Sequence, residues 1–426
     1  MRFSEKMTAP AAEWGNTSAS TEESKARKSE GAVIHMNDVE YIIGSEQINR
    51  NPLGAYSEEA LAFITDLCGQ LLKSPLIRTY PDLAALAFWG RKRNLQKLKE
   101  KCPEAHLRLG RGVCFHVAPS NIPLSFSFSY MFGLLAGCSN IVRVPSKRFP
   151  QTEALLDLMS GVLEAHPEVK CRSSFIRYPA DNAITEQFCL QADVRMIWGG
   201  DRTVSSIRSL RTQPKCIDIC FADRYSISIL DGDSVLAAEE KRLQRLVDDF
   251  YNDTYLMDQN ACSSPQMICW MNDSMAARER FWNAVYALAE KKYFLQDAVA
   301  VDKYTHSCED AIDHGGNILQ ISRRTNLLYK AEVKNLQPGI EQYRGHGGYF
   351  YEHTLQSIDE LVPVVTEKFQ TITYFGLDPE LIREVVLKHH LRGIDRIAPV
   401  GKAMDVNVIW DGYDLIRMLS RIVNVE

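Results

Sequence analysis

The sequence predicts an α/β protein with two regions of parallel β-structure. Three observations lead to this fold class. Short apolar runs alternate with helical patterns from residue 113 onward, turn residues collect where those runs end, and a second alternation of the same kind starts at residue 226. Strands separated by helices of this length pair in parallel through right-handed crossovers. Ligands of such sheets bind at the carboxyl ends of the strands.

The first region contains two leading helices and four short strands. Apolar residues spaced three and four apart predict helices over 57–72 and 81–99. The strands that follow are predicted over 113–118, 141–144, 174–177 and 194–198, and the helices between and after them over 123–136, 152–165 and 203–210. Pro123 suits the first position of its helix, because a proline there loses no hydrogen bond. That helix is apolar on all sides, which indicates that it is buried.

The second region shows the same alternation. It is predicted to open with a strand over 227–230 and a helix over 239–255, whose apolar side chains share one face. Helices over 275–292 and around 379–391 follow, and a last helix closes the chain.

Composition argues against several classes of protein. A net charge of −5 over 426 residues provides no basic surface for nucleic acid or anionic membrane. The eleven cysteines are scattered without zinc spacing, so we expect reduced thiols in the cytoplasm and no metal site. Residues 112–142 lack charged side chains, but Pro119 and Pro123 interrupt them, so a buried strand, loop and helix fit better than a membrane span. Residues 1–31 are polar and predict a disordered tail, not a targeting signal.

Cys262 is the candidate nucleophile. It lies in the stretch 258–266, Asp-Gln-Asn-Ala-Cys-Ser-Ser-Pro-Gln, between a helical pattern and an apolar run. A thiol on a loop between a helix and a strand is accessible and held by rigid neighbours, as a nucleophile requires. The alternative is that Cys262 is a buried small hydrophobic residue, the commoner role of an intracellular cysteine.

Two turns after predicted strands are candidate ligand sites. Gly199 and Gly200 precede a helix and could offer backbone N–H groups to a pyrophosphate, or form a plain tight turn in which Asp201 caps the helix. Asn121 lies between two prolines, where its amide could donate to an oxyanion or bond its own backbone. The sequence contains neither the usual glycine-rich dinucleotide fingerprint nor a P-loop motif.

Six segments resemble a known family in their order and spacing. They are residues 116–123 (His-Val-Ala-Pro-Ser-Asn-Ile-Pro), 141–147, 198–200, 258–266, 393–397 and 410–412 (Trp-Asp-Gly). Together they resemble the LuxC-type fatty acyl (acyl-CoA) reductases of bacterial luminescence, a branch of the aldehyde dehydrogenase superfamily. The resemblance runs from about residue 105 to the C terminus.

The resemblance implies an aldehyde-dehydrogenase-like fold, with a doubly wound nucleotide-binding domain, an α/β catalytic domain and a small oligomerisation element. The implied nucleotide-binding domain is 32–225 with a return segment over about 371–426, and the catalytic domain is 226–370. Cys262 takes the position of the superfamily's nucleophile, and Asn121 that of its side-chain oxyanion donor.

The resemblance also implies where a nucleotide cofactor binds. The contacts expected are the turn residues Pro119 and Ser120, the ribose contacts Pro145, Ser146 and Lys147, and the pyrophosphate turn Gly199 and Gly200. Many NAD-preferring relatives carry a carboxylate where Lys147 stands. A cation there suits a 2′-phosphate, so the expected cofactor is NADPH in preference to NADH.

One segment departs from the superfamily pattern. Oxidising aldehyde dehydrogenases carry a glutamate base at the start of the catalytic domain, whereas residues 220–226 (Cys-Phe-Ala-Asp-Arg-Tyr-Ser) have no glutamate at their head. That base activates water to hydrolyse the thioester, a step that a reductase does not need. Asp223 is the candidate for a displaced base.

The expected activity is therefore NADPH-dependent reduction of an acyl-CoA or acyl-protein to a fatty aldehyde, through a thioester on Cys262. The alternatives are an NAD(P)-dependent aldehyde dehydrogenase, an acyl transferase without reduction, and a non-catalytic partner subunit. The resemblance further implies an acyl-activating synthetase as partner and assembly into a homo-oligomer.

Overall fold

Two large β-sheets organise the part of the chain that the computed structural model describes, residues 38–119 and 122–426. Contacts join these described residues into one unit. The predicted tail over 1–31 and two predicted site residues, Ser120 and Asn121, lie outside them.

Strands and helices alternate along much of this part of the chain. The strands are β1 (Glu40–Ile43), β2 (Arg108–Gly110), β3 (Val113–Val117), β4 (Ser139–Arg143), β5 (Ser173–Arg177), β6 (Val194–Trp198), β7 (Ile217–Phe221), β8 (Tyr225–Asp231), β9 (Pro265–Met271), β10 (Ile318–Arg324), β11 (Leu328–Val333), β12 (Tyr349–Thr354), β13 (Phe369–Phe375), β14 (Arg396–Pro399), β15 (Ile409–Trp410), β16 (Tyr413–Asp414) and β17 (Ser420–Ile422). The α-helices are α1 (Glu58–Lys73), α2 (Leu76–Thr79), α3 (Pro81–Trp89), α4 (Lys92–Glu100), α5 (Ser125–Leu135), α6 (Pro150–Leu163), α7 (Pro167–Lys170), α8 (Asn182–Gln191), α9 (Asp201–Arg208), α10 (Gly232–Ala237), α11 (Glu240–Asp253), α12 (Met275–Lys292), α13 (Asp297–Asp313), α14 (Pro379–Lys388) and α15 (Leu415–Leu419).

The first sheet has the strand order β1-β5-β4-β3-β6-β7. Its strands pair in parallel except β1, which runs antiparallel to β5 at the edge. Every residue of β3 and β5 is buried. A strand covered on both faces is apolar at most positions, as β3 is. The polar residues of β5 are buried with hydrogen-bond partners: Ser173 and Ser174 donate to backbone carbonyls, and Arg177 donates to Glu153.

The second sheet has the order β10-β11-β12-β9-β8-β13-β14. Its strands are parallel except for the antiparallel pair β10 and β11 at one edge. Met267 and Cys269 belong to one apolar core, and Ile268 and Trp270 belong to another. This alternation along β9 shows that the second sheet has a core on each face. The predicted α/β fold class is confirmed.

Two smaller sheets involve the C-terminal part of the chain. β15 pairs with β16 in a short hairpin, and β17 pairs with β2. The predicted return segment over 371–426 is thus divided. β13 and β14 lie in the second sheet, whereas β17 pairs with β2, which directly precedes β3 of the first sheet. The domain boundaries derived from the resemblance stay predictions.

The predicted helix over 81–99 is wrong in one respect, because it is two helices, α3 and α4. The break falls at Gly90. A Cβ atom at this position would overlap Cys68 Sγ and lie 3.1 Å from a methyl of Ile64, both on α1. Close packing of the chain against α1 therefore requires glycine at this point, where the helical pattern alone would continue. No helix among the described residues is long and apolar enough to cross a membrane.

Candidate active site

The loop that carries Cys262 connects a short 3₁₀ helix, Tyr255–Met257, to β9. Asp258 and Gln259 both adopt left-handed backbone conformations, with φ of 52° and 58°. Side chains other than glycine rarely adopt this conformation, which costs of order 1–3 kcal/mol per residue. Other contacts must therefore hold the loop in place.

The buried Gln259 side chain provides those contacts. Its Oε1 accepts hydrogen bonds from the backbone N–H groups of Gly348 (2.8 Å) and Tyr349 (3.1 Å), and its Nε2 donates to the Tyr349 carbonyl at 3.1 Å. One amide thus fixes the loop to the beginning of β12, so that Cys262 has a defined position.

Cys262 lies at the amino ends of the parallel strands of the second sheet. Ser226 Oγ, at the beginning of β8, donates to the Cys262 carbonyl at 2.7 Å. Gln370 Nε2, at the beginning of β13, donates to Cys262 Sγ at 3.3 Å. The sulfur therefore receives a hydrogen bond from a side chain on a buried strand.

The β15–β16 hairpin supplies a carboxylate to this site. Asp411, in its turn with φ 49°, accepts a hydrogen bond from the same Gln370 Nε2 that donates to the sulfur. The Asp411 side chain is 3% exposed, and the Arg224 guanidinium lies 4.0 Å from its Oδ2. Arg224 also forms an ion pair with Asp395.

Burial raises the pKa of the Cys262 thiol to about 11, and the nearby negative charge of Asp411 adds to this rise. The Gln370 hydrogen bond and the Arg224 charge act in the opposite direction on the same pKa. At pH 7 such a thiol is ionised in only about one molecule in 10⁴. Burial also raises the pKa of Asp411, against the lowering effect of Arg224. Cys262 thus rests as a thiol, which would have to lose a proton before it could act as a nucleophile.

The residues predicted to contact the adenosine ribose lie just after β4. Pro145 is buried and its carbonyl accepts a hydrogen bond from Arg177 Nε at 3.2 Å, whereas Ser146 and Lys147 are exposed. Lys147 forms no ion pair with any other described residue, and its Nζ lies 4.9 Å from the centre of the Phe149 ring. An exposed ammonium group of this kind is available to an anion.

Gly199 and Gly200 follow β6, as predicted. Gly200 is the N-cap of α9 with no side-chain cap, and a Cβ atom there would meet no atom within 4 Å. The alternative in which Asp201 caps the helix is wrong, because Asp201 is the first helical residue. Its carboxylate instead accepts from the backbone N–H of Asp223 at 3.1 Å. The N-terminus of α9 is therefore open to a ligand.

The two sheets meet between the turn after β6 and the site of Cys262. Lys368, just before β13, donates to Asp201 at 2.5 Å and lies 3.4 Å from Asp223. The β15–β16 hairpin contacts both sheets, since Tyr413 packs edge-on against Phe221 of β7 while Asp411 binds Gln370 of β13. The carboxyl ends of the first sheet and the amino ends of the second thus form one site.

Asp223, the candidate for a displaced base, has other partners. Its carboxylate pairs with Arg344 at 2.8 Å and with Lys368 at 3.4 Å. Asp411 is instead the carboxylate that the described residues connect to the sulfur, through Gln370.

Three residues of the site were missed from the sequence: Arg224, Gln370 and Asp411. Asp411 lies in the segment 410–412 and Arg224 in the segment 220–226, both of which the resemblance singles out. That the two side chains lie close together depends on how the chain returns through β13 and the β15–β16 hairpin. Gln370 interrupts an apolar strand, and a polar side chain at a buried position was the available signal. Among the described residues, no group of His, Cys, Asp and Glu side chains could hold a metal ion.

A family model supports the resemblance directly. The model for acyl-CoA reductase (LuxC) matches residues 48–302, which is more than half of the chain. The chain belongs to the LuxC acyl-CoA reductase family. The predicted family is thereby confirmed, and membership makes the chain an oxidoreductase of the acyl-CoA reductase type. No curated protein matches the sequence.

Solved structures similar to this LuxC family member include several aldehyde dehydrogenases. The NAD-dependent aldehyde dehydrogenase from Sinorhizobium meliloti has a TM-score of 0.60 at 11% identity, covering 87% of this chain and 83% of that one. Aldehyde dehydrogenase 21 from Physcomitrella patens, in complex with succinate, has a TM-score of 0.59 at 12% identity, covering 87% and 85%. At these identities the similarity shows the fold, and the predicted aldehyde-dehydrogenase-like architecture is confirmed.

Proposed function

We propose that this protein reduces an activated fatty acyl group, carried by coenzyme A or by a protein, to the fatty aldehyde, with NADPH as reductant and Cys262 as acyl carrier. The observation that supports the proposal is the position of Cys262. In a LuxC family chain it lies on a pinned loop where the two sheets meet, with Gln370 donating to its sulfur.

The first sheet fits a nicotinamide dinucleotide. The uncapped N-terminus of α9 with open space at Gly200 suits a pyrophosphate, and the exposed ammonium group of Lys147 suits the 2′-phosphate that distinguishes NADPH from NADH. Bound there, the cofactor supplies the hydride that reduces the acyl carbon.

The residues of the chain perform the remaining chemistry. Cys262 Sγ, after losing its proton, forms a bond to the acyl carbon, and the bond between that carbon and the donor sulfur breaks, releasing the donor as a thiol. Asn121 and the Cys262 backbone N–H are the proposed donors to the oxyanion. When the thiohemiacetal collapses, its hydroxyl loses a proton, the carbon–sulfur bond breaks with its electron pair returning to Sγ, and the aldehyde leaves. Uptake of one proton by the sulfur restores the thiol.

The arrangement of carboxylates favours reduction over oxidation of an aldehyde. Oxidation needs a base that activates water against the thioester, and Asp223 is occupied by Arg344 and Lys368. Asp411 is buried and accepts a hydrogen bond from Gln370, so a water molecule has little access to it. An acyl-activating synthetase as the source of the acyl group, a homo-oligomeric assembly and a cytoplasmic location belong to the same proposal.

The test follows NADPH and NADH oxidation with a panel of acyl-CoAs, for the wild type and Cys262→Ala in parallel. We expect aldehyde from the wild type and a loss of at least about 10³-fold in the variant, because no other group replaces the nucleophile. Cys308→Ala, which removes an exposed thiol, is the matched control and should keep full activity. Full activity in Cys262→Ala would overturn the proposal.

Other outcomes separate the alternatives. Acylation of Cys262, seen by intact mass without NADPH oxidation, would favour acyl transfer. NADP⁺ reduction with fatty aldehydes but no reverse reaction would favour an aldehyde dehydrogenase. Neither acylation nor oxidation would indicate a non-catalytic subunit.

A further inference from the structure

The side chain of Gln370 has an arrangement that the proposed chemistry does not yet explain. Its Nε2 donates one hydrogen bond to Cys262 Sγ at 3.3 Å and another to Asp411 Oδ1. A carboxamide nitrogen carries two hydrogens, so both of its donors are used. Gln370 is 2% exposed, and water has little access to it.

The orientation of this amide determines whether Cys262 Sγ faces a hydrogen-bond donor or an acceptor. With Nε2 toward Sγ, the amide stabilises a thiolate, whereas with Oε1 toward Sγ it would accept from the thiol and stabilise the protonated form. An ionised carboxylate can only accept hydrogen bonds, so Asp411 repels Oε1 and selects the first orientation. Thr371 Oγ1, 3.4 Å from Oε1, can donate to it on the other side.

The charges around the sulfur oppose each other. Asp411 raises the pKa of the thiol, and Arg224 lowers it. Arg396, whose own pKa is lowered by burial, also faces Cys262 and Asp411, while Asp395 faces Asp411 and neutralises part of the Arg224 charge. The direct effect of Asp411 on the thiolate is therefore unfavourable, and its benefit to the site must come through Gln370.

We propose that Gln370 is the residue that stabilises the Cys262 thiolate, and that Asp411 is a positioning residue that keeps the Gln370 N–H directed at the sulfur. The inference rests on the proposed function, in which the sulfur carries negative charge twice, before it attacks the acyl group and when it leaves the thiohemiacetal. A donor to sulfur lowers the barrier of both steps.

The test measures alkylation of Cys262 by iodoacetamide from pH 7 to 11 in the full-length protein without substrate, with peptide mass spectrometry to assign the site. The wild-type rate should rise about tenfold per pH unit up to about pH 10, since burial raises the pKa of Cys262 to about 11. The exposed Cys308 in the same sample calibrates the reagent, and the buried Cys114 and Cys269 report any unfolding.

Three variants distinguish positioning from packing. Gln370→Met, which keeps the volume and removes the donor, should slow alkylation at pH 8 about 10- to 100-fold. Gln370→Glu is isosteric but places a carboxylate at the sulfur, so it should be slower than Gln370→Met. Gln320→Met and Asp313→Asn, at exposed positions on β10 and at the end of α13, are matched controls expected to match the wild type.

Asp411→Asn decides the role of the carboxylate. Asparagine tolerates the left-handed backbone at this position, so the hairpin should be retained. If the charge acted only on the sulfur, its removal would speed alkylation. If it positions Gln370, its loss frees the amide to rotate and alkylation slows about tenfold.

Each result is informative about one proposal at a time. Wild-type rates in Gln370→Met, or faster alkylation in Asp411→Asn, would overturn the inference. A wild type that shows the expected alkylation pattern but reduces no acyl-CoA would overturn the proposed function and leave the role of Gln370 standing.

Discussion

Two clusters of buried polar side chains differ in how completely their hydrogen bonds are formed. One surrounds His116 in the first sheet, and the other lies beside Cys262. On β3, His116 is fully buried, and both ring nitrogens have partners, Ser129 Oγ at 2.8 Å and Asn140 Oδ1 at 2.9 Å. Trp198 Nε1 donates to the same Ser129 Oγ at 3.0 Å. These polar side chains form a closed network.

Around Cys262 the network is open. Arg224 Nε, Ser264 Oγ, Gln266 Oε1 and Trp410 Nε1 are buried, and none has a hydrogen-bond partner among the described residues. A buried polar atom without a partner costs about 1–3 kcal/mol. The network around His116 therefore contributes to stability, whereas the region beside Cys262 retains polar atoms that could form hydrogen bonds with a ligand.

The largest effect should come from Gly133→Ala in α5. A Cβ atom there would clash with Asn140 Oδ1 and lie 3.1 Å from His116 Nε2, so it would separate the pair. We expect a loss of about 3 kcal/mol in the free energy of unfolding, measured in urea, from overpacking and a broken buried hydrogen bond.

Gly161→Ala in α6 is the matched control, since a Cβ atom there would meet no atom within 4 Å. It should stabilise the protein by about 0.5–1 kcal/mol, because alanine favours the helix. Equal losses in both variants would show that the closeness of α5 to His116 is not what matters.

The pH dependence of stability should reveal the closed network next. Burial lowers the pKa of His116 to about 4, against the raising effect of Asn140. The folded protein therefore binds fewer protons than the unfolded chain between about pH 6.5 and 4, so stability is complete above this window and is lost as the pH falls. Between pH 7 and 5 we expect the titration of His116 to lower the free energy of unfolding by about 2 kcal/mol. The variant His116→Gln should abolish this loss in parallel urea titrations.

The smallest effect compares two serines. Ser129→Ala removes the hydroxyl that His116 and Trp198 share and should destabilise by about 2 kcal/mol, whereas Ser264→Ala removes an unpartnered hydroxyl and should stabilise by about 1 kcal/mol. Thermal unfolding of the two variants measures both. A destabilised Ser264→Ala variant would mean that the region beside Cys262 is as closed as the other.

Much of the first sheet could be predicted, because strands buried on both faces are rich in apolar residues. Strands β3 and β6 appear as largely apolar runs, and each of the strands β3 to β6 is followed by a helix. The edge strand β1 was missed, since only Ile43 of its four residues is buried and the strand pairs antiparallel at the margin. Strand β10 was missed for the same reason, because it lies at an edge and has no buried residue. Strand β11 was also missed, although four of its six residues are buried.

The residues of the candidate site also differ in whether local sequence or long-range contacts mark them. Cys262, Lys147 and the glycines after β6 are marked as candidates by local turns and a family resemblance, and their roles stay predictions. Gln370 and Asp411 could not, because their role exists only when β13 and the β15–β16 hairpin come together from distant parts of the chain. The predicted oxyanion donor, Asn121, stays a prediction.

The protonated state of the half-buried Cys262 also bears on how the protein would withstand oxidants. Peroxides attack thiolates, so a cysteine whose pKa is raised to about 11 is a poor target in the resting protein. Cys171 and Cys308 are exposed and would be oxidised first. Under the proposed function, the contacts that keep the Cys262 sulfur protonated would therefore also protect it from oxidation in the resting protein.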